Sequence, residues 1–467
     1  MEIPAPLKLS GHVVVMPYPS RGHVNPMMTL CKLIAASSTP TPPTHSHSNT
    51  SLLITFVVTQ EWLGLMGSEP KPNNIRFATI PDLIPLQSQI ASDIPSFFKA
   101  VTANLESPFD HLLHRLQPPV TAIIADVELK FPVAVARRRN IPVALLWTMS
   151  ASFYLMLHQL GSLVPNRSLK VDLIDDYEGH IPGISSAQLA DLRIVLREND
   201  LRFLQLALEC VSIVPKTDCL IVNTVQELEA EEIVNSLKAM FQFPIYSIAF
   251  PYFKLQTSHL VANSDPNVDY LNWLDSKPSK SVLYISLGSF LSVSCAQMNE
   301  IISALNTSGV YYFWVVREVS WLKEKCGNSG LVVPWCDQLK VLSHPSIGGF
   351  WSHCGWNSTL EAVFLGIPIL TFPLFFDQVP NSRQILEVWK NGWELKKSEL
   401  GSEELVTQEE ILEVIREFMD LGSGKGKEIR DRALELQGIC DLAVAEGGSS
   451  NMNLHAFVKD VLCVQGH

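Results

Sequence analysis

The sequence predicts an α/β protein built on two doubly wound parallel sheets. Three observations carry this. Short apolar, β-rich runs alternate with helical stretches along the whole chain, as parallel strands joined by crossover helices do. Two of those runs, VTAIIAD ending at Asp126 and IGGFWS ending at Ser352, are apolar without interruption, which marks strands buried on both faces. The third is length: 467 residues suffice for two ordinary domains, and a polar, Pro-containing stretch over 250–280 separates two such series.

In chain order, GHVVVMPY (11–18) is the first strand. Residues 19–23 read as a turn ending at His23, and NPMMTLCKLIAAS from Asn25 reads as a helix. Strands follow at 52–58 and 75–80, then a long amphipathic segment over 94–117 and the strand to Asp126. A helix carrying Arg137, Arg138 and Arg139 precedes the strand IPVALLW, which leads through Thr148 into SASFYLMLHQL. A helical region over 187–213 and the strands DCLIVN and PIYSI complete a first domain, 1–249. After the linker (250–280) the second series begins at SVLYISL and turns at Gly288-Ser289, giving a second domain over 281–448. A closing helix occupies 449–467.

The stretch from Trp335 to Gln378 carries the densest chemistry. Its strand IGGFWS breaks at His353-Cys354-Gly355-Trp356-Asn357, and a helix is expected from Ser358. Ser358-Thr359-Leu360-Glu361 fits a capping box, and Gly366 and Pro368 end the helix. A strand feeding a helix N-terminus through a Gly turn presents backbone N–H groups and a positive dipole end, a ready phosphate site. His353, Asn357 and Ser358 would ring it. His23, Asp126, Ser289 and His353 each follow a strand, where doubly wound sheets bind ligands.

The bulk numbers narrow the partners. A net charge of −12 argues against nucleic acid and anionic membranes. No run approaches the roughly 18 apolar residues of a membrane span. The N-terminal stretch lacks the pattern of a signal peptide. Nine cysteines without a C-x-x-C pair read as reduced thiols, so a cytoplasmic location is expected; the chain is expected to be a monomer.

Residues 335–378 resemble the signature box of the plant family-1 UDP-glycosyltransferases. The shared pattern is W-x-x-Q (Trp335, Gln338), H-C-G-W-N-S (353–358), the Glu three residues on (Glu361) and P-x-x-x-D-Q closing at Asp377 and Gln378. Two positions depart: Asp337 replaces the family's Pro, and Ile248-Ala249-Phe250-Pro251 replaces its Ile-Gly-Pro. The resemblance implies a GT-B fold, two Rossmann-like domains facing across a cleft, with the last helix crossing back onto the first domain. It implies His23 as catalytic base and Asp126 as its orienting partner. It makes Trp335 the uracil platform, with Gln338 near base and ribose and Glu361 on the ribose hydroxyls. Ser289, His353, Asn357 and Ser358 would contact the diphosphate. Asp377 and Gln378 would bind the sugar, with Thr148 and the Trp356 backbone as further contacts.

The implied reaction is metal-independent, inverting transfer of a sugar, glucose expected, from a UDP-sugar to a hydroxyl or carboxyl of a small lipophilic acceptor. No cofactor is implied beyond the UDP-sugar co-substrate. No D-x-D triplet is present to hold a divalent ion, so the helix dipole and His353 are expected to take the diphosphate's charge. Residues 82–100, 147–160 and 180–205 would build the acceptor pocket. Two rivals remain. A silent nucleotide-sugar-binding protein would have lost His23 or Asp126, and both are present. A dinucleotide oxidoreductase needs G-x-G-x-x-G after the first strand, where this chain has P-S-R-G-H.

Overall fold

A computed structural model describes residues 11–37, 52–66, 71–85, 93–163, 185–198, 200–250, 270–288, 293–316, 320–395, 405–420, 422 and 424–462. The chain forms two compact units, one of Met1–Ser185, Asp200–Ser258 and Ala443–His467, the other of Ser186–Asn199 and His259–Leu442. The expected linker falls largely outside the described residues, which resume with a short helix at Tyr270–Asp275.

The first unit is a seven-stranded parallel sheet: β1 (Gly11–Met16), β2 (Leu52–Thr59), β3 (Ile75–Ile80), β4 (Ala122–Asp126), β5 (Val143–Trp147), β6 (Cys219–Val222) and β7 (Ile245–Ser247). Their order is β3-β2-β1-β4-β5-β6-β7, so the direction of winding reverses between β1 and β4. Every residue of β4 and β5 is buried, which is why their sequences show no polar alternation. The 94–117 segment is two helices, Ile94–Asn104 and Glu106–Arg115, meeting at Leu105. The 187–213 region likewise divides. Asp200 caps the helix Leu201–Val211 by accepting from the Arg202 amide, whereas Ser186–Glu198 clusters with the second unit. The arginine triplet ends the helix Phe131–Arg139: Arg138 pairs with Glu106 at 2.9 Å and Arg139 with Asp110 at 2.7 Å.

The short edge strand β7 is covered by the chain's C-terminal segment. Asn453 donates to the Ser247 carbonyl at 2.9 Å, Tyr246 to Asp460 at 3.0 Å, and the Ala249 amide to Ser450 Oγ at 2.6 Å. Covering an edge in this way closes a row of backbone groups to other chains.

The second unit is a six-stranded parallel sheet of β8 (Val282–Ser286), β9 (Tyr311–Val315), β10 (Gly330–Val333), β11 (Ile347–Ser352), β12 (Ile369–Thr371) and β13 (Gly392–Glu394). The order β10-β9-β8-β11-β12-β13 reverses between β8 and β11. In β11, a Cβ on Gly349 would run into the Phe418 ring. The glycine lets the helix Gln408–Met419 lie close against the strand, with Phe418 in the core beside Trp351. Both units are thus Rossmann-like, which is the GT-B type of fold, and each has one switch point at the carboxyl ends of its strands.

Candidate functional site

In the first unit the switch point lies between β1 and β4, and His23 and Asp126 sit on it. His23 lies in a first helical turn rather than in a loop. The helix spans Arg21–Ser37 because the Ser20 carbonyl already accepts from Val24 N at 2.8 Å. The sequence places the helix start at Asn25; in the structure it lies four residues earlier, and Pro26 stands inside the helix.

His23 Nδ1 is 2.8 Å from Asp126 Oδ2, and Asp126 is 1% exposed. The other carboxylate oxygen accepts from the Glu128 amide at 3.0 Å, which fixes the carboxylate plane. A carboxylate on Nδ1 holds the proton there and leaves Nε2 as the acceptor. Thr148, buried after β5, stands with Oγ1 3.2 Å from the same Nδ1; the expected sugar contact therefore lies beside the base. Glu128 was not singled out by sequence, yet its Oε2 is 3.7 Å from His23 Nε2. Its only signal was its place two residues beyond Asp126. Aromatic rings line the neighbourhood: Tyr18 lies 5.3 Å from His23 between centroids, and Phe98 lies 5.6 Å from Tyr18 and 6.3 Å from Phe203. Of the expected acceptor segments, 86–92, 180–184 and 199 lie outside the described residues.

In the second unit the switch point lies between β8 and β11, and the signature stretch surrounds it. The helix there spans Trp356–Phe364 with Gly355 as N-cap, so the expected capping box does not form. Ser358 is the third helical residue, and Glu361 reaches a different partner. Gln338 Nε2 donates to Glu361 Oε2 at 2.7 Å and to Ser358 Oγ at 2.9 Å. Its carbonyl accepts from Tyr284 OH at 3.0 Å. Tyr284 is wholly buried in β8, so a core residue aims this chain of polar groups. Burial pushes Glu361 up to about 7; the Gln338 bond opposes that, and the nearby Asp337 charge adds to it. Asp337 caps the helix Gln338–Leu342 by accepting from the Lys340 amide, so the departure from the family's Pro is locally useful. Trp335, in the loop before it, is half-buried rather than core.

The ladder of the helix Trp356–Phe364 starts with Thr359 N on Gly355 O at 3.0 Å. The amides of Trp356, Asn357 and Ser358 lie ahead of it at the positive end. The Trp356 side chain itself is buried, 5.8 Å from Trp389 between ring centroids. The imidazole of His353 sits between two glycines. A Cβ on Gly355 would come 2.5 Å from Nε2, and one on Gly288 would come 3.0 Å from Cδ2. His353 Nδ1 is 3.4 Å from the Ser286 carbonyl. Surrounding protein atoms push it down to about 4, although part of the ring is accessible. In the ligand-free protein burial thus holds the imidazole toward its neutral form, which still donates or accepts a hydrogen bond. Ser289, the other expected phosphate contact, lies outside the described residues.

Cys354 has φ of +66°, unusual for a non-glycine, and Asn381 Nδ2 holds its carbonyl at 3.0 Å. The same Asn381 amide donates to Asp377 at 2.8 Å, so one buried amide fixes the turn and the acid together. Gln378 Oε1 accepts from the Leu374 and Phe375 amides at 2.8 and 3.0 Å. Gln378 is expected at the sugar; its oxygen closes its own loop, which leaves the NH2 as the end that can donate. Arg383 ends the next helix, pairing with Asp191 at 2.7 Å and Glu387 at 3.0 Å. Among the described residues, no three His, Cys, Asp or Glu side chains converge as a metal-binding set.

Residues 122–419 match the family model described as UDP-glucoronosyl and UDP-glucosyl transferase. The chain is 44% identical to UDP-glycosyltransferase 87A1 of Arabidopsis thaliana, over 96% of this chain and 99% of that protein. The fold superposes on Medicago truncatula UGT71G1 complexed with UDP-glucose with a TM-score of 0.79, at 24% identity, covering 97% and 98% of the two chains. Phytolacca americana UGT2, solved with UDP-2-fluoro-glucose and pterostilbene, superposes with a TM-score of 0.76 at 26% identity, covering 98% of this chain and 100% of that one. With that sequence identity along nearly its whole length, and two Rossmann-like units each with polar groups at its switch point, the chain belongs to the plant family-1 UDP-glycosyltransferases, enzymes that transfer sugar from a UDP-sugar.

Proposed function

We propose that this enzyme transfers glucose from UDP-glucose, with inversion and without a metal ion, to a hydroxyl or carboxyl group of a small lipophilic acceptor. The observation that carries the reading is the His23–Asp126 pair at the switch point of the first sheet. His23 Nε2 takes the acceptor's proton while Asp126 holds Nδ1–H and stabilises the imidazolium. The acceptor oxygen forms its bond to the anomeric carbon as the bond from that carbon to the diphosphate oxygen breaks, and the electron pair leaves with UDP. Attack opposite the leaving group inverts the centre. On the donor side, Trp335 offers a face to uracil, Glu361 accepts from ribose hydroxyls, and the helix at Trp356 faces the diphosphate.

Glucose is preferred over glucuronate because Arg383 is already engaged by Asp191 and Glu387. The Gln378 amide donates to a sugar hydroxyl. Pterostilbene in the Phytolacca americana structure supports an aromatic acceptor, as do the rings of Tyr18, Phe98 and Phe203. Eight cysteines in the described residues are free thiols, which supports a reducing compartment such as the cytoplasm.

The test is His23→Ala with UDP-glucose and neutral phenols. Losing a general base costs roughly 10²–10⁴-fold in turnover, while UDP-glucose affinity by calorimetry stays close to wild type, because the nucleotide residues belong to the other unit. EDTA leaves turnover intact. Wild-type turnover of a neutral alcohol by His23→Ala would overturn the mechanism.

A further inference from the structure

We infer that Glu128 is an acceptor filter: its carboxylate beside His23 Nε2 admits neutral hydroxyls and turns away carboxylates, so the enzyme makes glycosides of hydroxyl groups rather than sugar esters. The inference rests on the proposed transfer reaction and narrows its substrate class.

The geometry is specific. Glu128 Oε2 stands 3.7 Å from Nε2, too far for a hydrogen bond and close enough to act by charge. Its backbone amide is tied to Asp126 Oδ1 at 3.0 Å, so the base's own partner fixes the backbone carrying it. Its side chain is only 12% exposed. Lys130, two residues on, is paired with Glu209 at 2.6 Å.

An attacking oxygen hydrogen-bonded to Nε2 at about 2.8 Å lies at most about 6.5 Å from Glu128 Oε2. For a neutral hydroxyl this is favourable. As its proton passes to Nε2, an imidazolium develops between Asp126 at 2.8 Å and Glu128 at 3.7 Å, and both carboxylates stabilise it. A carboxylate acceptor has no proton to give, so no imidazolium forms. It instead brings a second negative charge beside Glu128, whose side chain, like that of His23, is little exposed. At the effective dielectric of such sites, repulsion across about 6 Å is worth roughly a hundredfold in rate.

The experiment compares phenol and benzoate as acceptors with UDP-glucose, for wild type, Glu128→Gln and Glu128→Ala. Wild type forms phenyl glucoside and, at equal concentration, little benzoyl ester. In Glu128→Gln the kcat/KM ratio of benzoate to phenol rises at least tenfold. UDP-glucose affinity, read by calorimetry, certifies that each variant is folded, and Glu128→Ala carries the comparison if the glutamine variant does not fold. An unchanged ratio in a folded variant, or a wild type that prefers benzoate, overturns the filter. Failure of wild type to transfer to any acceptor would instead overturn the proposed reaction, so the two failures are distinguishable.

Discussion

Glu361, as the proposed ribose acceptor, should make UDP-glucose binding depend on pH near neutrality. Burial raises its carboxyl from 4.5 to about 7 in the ligand-free protein, with the Gln338 amide at 2.7 Å opposing the rise. Two ribose hydroxyls need an ionised acceptor, so binding selects the charged form and releases a proton. At pH 7 about half of the molecules carry the proton, and binding releases roughly half a proton per ligand. Between pH 6 and 8 the ionised fraction climbs from about a tenth to about nine-tenths, so the association constant rises roughly tenfold, or ~1.4 kcal/mol. The sign is opposite for the free protein's stability. A folded-state value above the unfolded one gives a contribution that is complete below about 4.5 and lost as pH rises through about 7. Ligand therefore stabilises most where this carboxyl stabilises least. The assay is calorimetry in buffers of different ionisation enthalpy. UDP-glucose is the ligand of choice, because the terminal phosphate of UDP itself titrates near pH 6. His353, held at about 4, is silent in this window. Glu361→Gln should bind more weakly and show a flatter profile. Flat affinity from pH 6 to 8 in wild type, or the same slope in Glu361→Gln, would refute the assignment.

Three further outcomes follow from the donor side. Trp335→Ala should weaken UDP binding by roughly 1–3 kcal/mol, the worth of stacking one base, without moving the urea midpoint, since the ring is only half-buried; unchanged affinity would remove the platform role. Gly355→Ala places a methyl 2.5 Å from His353 Nε2, so the ring must shift, and UDP-glucose affinity should fall at least tenfold in a folded protein if His353 touches the diphosphate. Arg383→Ala leaves Asp191, 1% exposed, without its partner; denaturant unfolding should report a loss of about 3 kcal/mol, and the variant should gain no use of UDP-glucuronate.

The sheets were legible because burial on both faces writes itself into a strand as an unbroken apolar run. β3, β4 and β11 fall where the sequence placed them, and so do the switch-point positions of His23, Asp126 and His353. Less legible were contacts between residues far apart in sequence. Tyr284 looks like any core aromatic in a β-strand; only its OH, 3.0 Å from Gln338, shows that it orients that amide. Asn381 looks like an ordinary helical residue until its amide is seen holding Cys354 and Asp377. Glu128 reads as a solvated acid beside a strand end, and only the folded chain brings it to His23.

The capping-box pattern shows where local reading gives way. S-T-L-E at 358–361 and T-Q-E-E at 407–410 carry the same signal of hydroxyl and acid three residues apart. At Thr407 the box forms in both directions: Thr407 Oγ1 accepts from Glu410 N at 3.4 Å, and Glu410 Oε2 accepts from Thr407 N at 2.8 Å. At Ser358 neither bond forms, because both side chains are taken by Gln338. A capping box is worth about 1 kcal/mol, which a buried amide donating to a carboxylate outweighs. The N-cap then falls three residues earlier, on Gly355, with no side-chain cap bond, at the carboxyl end of β11. A glycine N-cap puts no side chain over that helix end, which suits an anion site, so the local rule gives way at the position of the proposed diphosphate site.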